Sequence, residues 1–352
     1  MNSKINGQQR HNPFVSVVIP ALNCADDVEG CVKSLRSQDY PEDRYEIIIV
    51  DNGSTDATLD ILSRVGVRYF VRRERSRSKA LNTGIANARG EIICTTDISC
   101  RPEANWIRTI VESFRDPSVG CVAGEIKLLK TSDNAVIRFQ ERTNYMSGML
   151  ALSRRQPPAL PFADGANASF RKQLFDEIGP FEESFIKSAD VEICYRMLFL
   201  SNYRMVFNRD AITWEPGEPT LKALLHQRFR MGIGANLLRK KYPALYRLNR
   251  KRLGIRQAYW LLLSLLGSIH ALISANIQAL RSKDLAALET AVDINVRSLM
   301  NVAQIVGRSY GRWYLLFKNI HPIPVDDGPI EKFISTAGNL PNRIIVWDSA
   351  AD

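Results

Sequence analysis

From Phe14 onward the chain repeats one pattern, and that pattern constrains its fold more than anything else. Short unbroken aliphatic runs alternate with amphipathic stretches. "FVSVVIP", "EIIIV", "VRYFV", "EIICTT" and "VGCVAG" read as successive strands. Between the first two, Val28, Val32 and Leu35 share one helical face at i, i+4 and i+7. After the second, Leu59, Leu62 and Val65 share another, and "SKALNTGIANA" and "NWIRTIVESF" read as further helices. Strands of continuous Val and Ile lack the polar alternation of a half-wet sheet. They require a mostly parallel sheet covered by helices on both faces, which is an α/β fold class.

That layout says where a ligand would sit. In an open parallel sheet, the crevice lies outside the carboxyl ends of the strands. "EIIIV" ends there on Asp51 and Asn52. Gly53 permits a sharp turn, Ser54 or Thr55 can cap the helix that follows, and Asp56 suits its positive first turn. Asp51 is the residue expected to face a cleft.

The alternation fails between Thr131 and Pro161, where a helix enters a Pro-rich loop, and from Leu221 the chain turns helical and basic. With 45% hydrophobic and 24% charged residues, disorder is excluded as the main state. The formal charge of +10 points to an anionic partner: the phosphates of a small ligand, a nucleic acid or an anionic membrane surface. Six scattered cysteines with no CxxC pair read as reduced core residues. "MNSKINGQQRHNP" has no apolar core of a secretory signal, so a cytoplasmic location is expected. Gln257 to Leu280 runs 24 residues without a charge. It reads first as a helix docked on a membrane, with a spanning or re-entrant helix and a plain buried helix as alternatives. The expected division is a flexible tail (1–12), an α/β domain (13–245) and a helical, membrane-associated C-terminal region (246–352).

Six segments, in this order, give the chain a family resemblance: "VSVVIPALNCADDVEGCVKSLRSQDYP", "EIIIVDNGSTDAT", "SKALNTGIANARGEIICTTDISC", "FADGANASFRKQLFDEIGPFEE", "ADVEICYRM" and "HQRFRMG". Together they resemble the inverting family 2 glycosyltransferases of GT-A fold over about Val15 to Gly232. The resemblance implies a nucleotide-diphosphate sugar as donor, UDP favoured over GDP. It implies a lipid-linked or polysaccharide acceptor, and leaves room for a homodimer. Pro20, Ala21, Asn23 and Asp51 would bind the nucleotide base, with Arg77 and Lys79 near the nucleotide. Asp97 would meet the donor's diphosphate and hold Mg or Mn. Ser99 stands where a second Asp is expected, which weakens the metal site. Asp190 would be the general base, with Glu192 as a backup carboxylate. Ala189 replaces the acid that usually precedes that base. Asp164, Gly165 and Asn167 would serve the acceptor sugar, and Gln227 and Arg230 the diphosphate. Met231 stands where Trp is expected, and Trp214 takes a position where relatives show His, leaving it to stack on a sugar ring.

Two other readings are open. A noncatalytic nucleotide-sugar binder on the same fold would explain the departures at Ser99, Ala189 and Met231. A sugar-phosphate nucleotidyltransferase would need a Gly-rich phosphate loop after the first strand, and "PALNCADD" is not one. Nucleic acid is disfavoured as a partner, because the basic residues come without an aromatic-rich binding motif.

Overall fold

The computed structural model describes residues 12–147, 160–247, 273–274, 276–277, 285–317, 325–335 and 344–347. The aliphatic runs become β1 (Val15–Ala21), β2 (Tyr45–Asp51), β3 (Arg68–Val71), β4 (Ile92–Thr95), β5 (Arg101–Pro102), β6 (Val119–Leu129), β7 (Ala168–Arg171), β8 (Arg204–Pro216) and β9 (Ile344–Trp347). The sheet runs β3-β2-β1-β4-β7-β6-β8-β5, with β9 on β8. The first four strands pair in parallel, as do β6 with β8 and β8 with β9. β7 is antiparallel to both of its neighbours. The reversal brings the loop before β7 to the carboxyl end of β4, where a crevice is expected.

The helices are α1 (Ala25–Arg36), α2 (Thr58–Val65), α3 (Arg77–Ala86), α4 (Trp106–Ser113), α5 (Ala135–Arg142), α6 (Lys172–Ile178), α7 (Ala189–Leu200), α8 (Leu221–Lys241), α9 (Pro243–Arg247), α10 (Leu285–Phe317) and α11 (Asp327–Ser335). Strand alternation splits the aliphatic side chains between two cores. Val17, Ile19, Ile49 and Cys94 pack with Val28 and Leu35 of α1, Leu62 of α2 and Trp106 of α4. Val18, Ile48, Val50 and Ile93 pack with Leu81 of α3, Leu174 of α6, Leu198 of α7 and Leu237 of α8. These side chains are almost wholly buried, and each such burial stabilises by about 1.5–3 kcal/mol. β3 is the edge: Arg68, Tyr69 and Val71 are exposed, so "VRYFV" is covered less than its sequence suggests. All six cysteines are unpaired and five are buried.

The C-terminal elements join this body. Leu315 of α10 and Ile330 and Phe333 of α11 enter the same core as β2 and α3, and "RIIVW" supplies β9. α10 lies against α8 at glycine contacts: a Cβ on Gly232 would fall 2.4 Å from the Gln304 carbonyl oxygen, and one on Gly307 2.0 Å from that of Phe229. Most of Gln257 to Leu280 lies outside the described residues, as do residues 1–11 of the tail. Among the described residues, no helix is long and apolar enough to cross a membrane.

Candidate active site

Asp51, expected to face a cleft, is instead buried at the paired ends of β1 and β2 and does not line the main cavity. Ala21 and Asp51 are register partners, and the Asn52 N–H donates to the Ala21 carbonyl at 2.8 Å. One carboxylate oxygen of Asp51, Oδ2, accepts the N–H groups of Gly53 (3.0 Å) and Ser54 (3.1 Å). Its other oxygen, Oδ1, is buried without a partner, an arrangement that usually costs on the order of 1–3 kcal/mol. Asp51 is fully buried, so a ligand reaches it only if the turn above moves. Gly53 holds φ +86°, with the Arg73 carbonyl oxygen 3.3 Å from where a Cβ would stand. Neither Ser54 nor Thr55 caps α2. The Ser54 hydroxyl accepts the Asn23 N–H (2.9 Å), and the Thr55 N–H donates to Asn23 Oδ1 (2.8 Å). Asn23, at φ 50°, thus ties the two strand-end loops together.

Asn52 links this edge to the next element. Its Oδ1 accepts the Ser76 N–H at 2.9 Å, and the Ser76 hydroxyl in turn accepts the Lys79 N–H and caps α3. The cap places Arg77 in the first turn of α3, where its side chain enters a cavity of about 770 Å³. Arg77, Asp97, Asp164, Gly165, Asp190, Gln227 and Arg230 all line that cavity.

Local bonding explains why segments so distant in sequence converge. At the end of β4, the Thr95 hydroxyl donates to the Gly165 and Ala168 carbonyls, and Thr96 to Ala166. These bonds hold the Asp97 loop against the Asp164 loop. Asp164 Oδ1 accepts the Ala166 N–H at 3.0 Å. Gly165 makes close approach possible, since a Cβ there would stand 2.9 Å from Arg77 Nη2 and 3.6 Å from the Asp190 Cβ. Its N–H donates to Asp190 Oδ2 at 3.2 Å. Asp190 opens α7 behind Ser188, whose left-handed φ of 63° costs backbone strain. Arg77 Nη2 meets Asp97 Oδ1 at 2.7 Å. Burial first, then the charge of Asp190, pushes the Asp164 carboxyl up to about 6.

Other expected residues lie elsewhere. Lys79 points away from the cavity and pairs with Glu74. Asn167 is buried, with Oδ1 accepting from the Trp106 indole (2.8 Å) and Nδ2 donating to the Glu125 and Ala211 carbonyls. No polar atom of it is left for a sugar. Glu192, the backup carboxylate, is fully buried and takes Arg196 (2.7 Å) and Tyr242 (2.9 Å). Trp214 donates from its indole to Glu103 at 3.0 Å, with the Lys127 ammonium 5.4 Å over its ring.

Successive side chains of a strand point to opposite faces, so it is the next residue, Glu215, that lines the cavity. Burial, then the charges of Asp164 and Asp97, hold its carboxyl well above the usual range. Glu215 was missed in the sequence. The signal for it is its place one position from Trp214 near the end of β8, where the two side chains must face opposite ways. Also missed were Lys187, Arg239, Arg308 and Arg312 on the same cavity wall.

The glycosyl transferase family 2 model matches residues 16–179. Glycosyltransferase AglE of Haloferax volcanii is 31% identical over 229 residues, covering 63% of this chain and 73% of that protein. A probable glycosyltransferase of Bacillus subtilis, YdaM, is 29% identical over 253 residues, 68% of this chain and 60% of that protein. In Methanococcus voltae, a dolichyl N-acetyl-alpha-D-glucosaminyl phosphate 3-beta-D-2,3-diacetamido-2,3-dideoxy-beta-D-glucuronosyltransferase is 24% identical over 241 residues, 65% of this chain and 67% of that protein.

Proposed function

The chain belongs to glycosyl transferase family 2, and from that premise we propose that it is an inverting transferase. It moves a sugar from a nucleotide-diphosphate sugar, with UDP as the favoured nucleotide, to a hydroxyl of a lipid-linked or glycan acceptor at the cytoplasmic membrane face. One observation carries the reading. Carboxylates from three distant segments, Asp97, Asp164 and Asp190, share a single cavity with Arg77 and Arg230.

In such a transfer the acceptor oxygen attacks the anomeric carbon, its proton leaves to a base, and the bond to the diphosphate breaks with charge flowing to the leaving group. Asp190 is the proposed base. Its Oδ2 is oriented by the Gly165 N–H and its Oδ1 by the Val191 N–H at 2.9 Å, which leaves lone pairs on both oxygens for a proton. Arg77 and Arg230, with Lys187 beside them, take up the growing phosphate charge. Asp164, whose carboxyl is pushed up to about 6, can hold the sugar hydroxyls, and Asp51 Oδ1, once the turn above it moves, offers an acceptor to a base N–H.

Among the described residues no three His, Cys, Asp or Glu side chains stand close enough together to hold a metal ion by themselves. Asp97 still suits Mg or Mn in one respect: magnesium is commonly held by one or two carboxylates together with substrate phosphates rather than by a protein cage. Asp97 would hold the ion, which supplies positive charge to the departing diphosphate.

The test is a panel of UDP- and GDP-sugars with lipid-linked and glycan acceptors. Asp190→Asn should lower kcat by about 10²–10⁴-fold while nucleoside diphosphate still binds. Undiminished turnover in that variant removes Asp190 as the base, and failure of every donor to bind overturns the reading.

A further inference from the structure

Resting on the transferase reading, we propose that the cavity end walled by α8, α9 and α10 is a phosphate subsite of the acceptor. There Arg239, Arg308 and Arg312 would grip a phosphate ester carried by the molecule that receives the sugar.

These three arginines come from two helices and line the same cavity as the carboxylates. Arg308 and Arg312 stand four residues apart on α10, so their side chains share one face. Arg239 of α8 lies 5.5 Å over the ring of Tyr246 of α9, itself part of the wall. The backbone that carries them is locked. Beside the close contacts at Gly232 and Gly307, a Cβ on Gly311 would stand 2.8 Å from Asn236 Nδ2, and that amide donates to the Arg308 carbonyl at 2.8 Å. Larger residues at these glycines would push α10 away from α8 and take Arg308 and Arg312 with it.

All three side chains are exposed to solvent, so water and salt screen much of their mutual repulsion, and an anion held among them would relieve the rest. Among the described residues, none of the three makes an ion pair with a carboxylate. Partial desolvation, then the charges of Arg312 and Arg308, hold Arg239 below its ordinary value. A separate cation group serves the carboxylate end: Lys187 is held low by burial, then by Arg230 and Arg77. Two cationic groups in one cavity suit two anionic ligands. The donor diphosphate accounts for the first, and arginine forks match a phosphate monoester or diester at the second.

The experiment uses the purified full chain and the Arg308→Gln/Arg312→Gln double variant, with Arg308→Lys as the charge-keeping control and circular dichroism as the check on folding. Sedimentation with phosphatidylcholine vesicles doped with a polyprenyl phosphate, or with the neutral polyprenol, reads the subsite without turnover. Wild type should bind the phosphate-doped vesicles, and the double variant should bind them about a hundredfold more weakly, roughly tenfold per arginine. Arg308→Lys should fall between the two. In transfer assays, KM for the phosphate acceptor should rise by a similar factor in the double variant. If wild type ignores the vesicles while a soluble sugar phosphate serves as acceptor with the same arginine dependence, the source is soluble and the phosphate subsite stands. Equal behaviour of the double variant and wild type toward both kinds of phosphate overturns it, as does equal binding of the two kinds of vesicle with no use of a soluble phosphate. Absent donor binding in a wild type that still needs Arg308 and Arg312 for phosphate would sink the transferase reading alone.

Discussion

Replacing Asp164 by Asn should stabilise this protein near neutral pH, because the wild-type carboxylate is held where its charge is unwelcome. Burial first, and then Asp190, raise it from 3.8 to about 6. Below the lower value, folded and unfolded chains both hold the proton and the group contributes nothing. Between the two values the unfolded chain ionises first, so stability falls as pH rises, and the full penalty is present above the folded value. At roughly 1.4 kcal/mol per pH unit, a rise from 3.8 to about 6 is worth about 3 kcal/mol, and solvent in the cavity reduces this to about 1–3 kcal/mol. The Asn side-chain oxygen can keep the 3.0 Å bond from the Ala166 N–H. An unfolding entropy near 2 cal/mol/K per residue over 352 residues converts the gain to about 1–4 °C in Tm. Differential scanning fluorimetry of both proteins from about pH 4 to about pH 8 should show the curves separating as pH rises from 3.8 to about 6 and running parallel above that. A Tm difference that is absent or pH-independent refutes the argument.

Glu192→Gln should destabilise the fold by about 3 kcal/mol or more, read by chemical denaturation, since it removes the buried charge that Arg196 and Lys241 face. Gly307→Ala places a Cβ 2.0 Å from the Phe229 carbonyl oxygen. It should cost about 1–3 kcal/mol by overpacking and expose α10 to faster amide exchange. Asp51→Asn puts an amide where an acceptor is expected and should weaken UDP binding by roughly tenfold, measured by calorimetry. An unchanged Kd would remove Asp51 from base recognition.

The site was partly legible in the sequence because strand ends are. Asp51 and Asp97 each follow an aliphatic run, and a parallel sheet sends all such ends to one edge. Asp190 is legible only through the family resemblance, and the fold brings it beside Gly165. Asn167 and Glu192 misled for a common reason: a polar residue in a motif looks the same whether it meets ligand or protein. Only the Trp106 indole, the Arg196 guanidinium and the Tyr242 hydroxyl, from elsewhere in the chain, reveal that these two are structural. Trp214 and Glu215 differ by one strand position, and the facing of each depends on register.

By itself the sequence determined the α/β layering, since uninterrupted Val and Ile runs can be buried only beneath helices on both faces. It also determined where β2 ends, since Asp51 and Gly53 stop that strand by local chemistry. Tertiary structure alone decided the antiparallel turn of β7, the seating of α10 on α8, and the meeting of Arg239 with Arg308 and Arg312. Those outcomes depend on contacts between residues far apart in the chain, which hydrophobic periodicity does not encode.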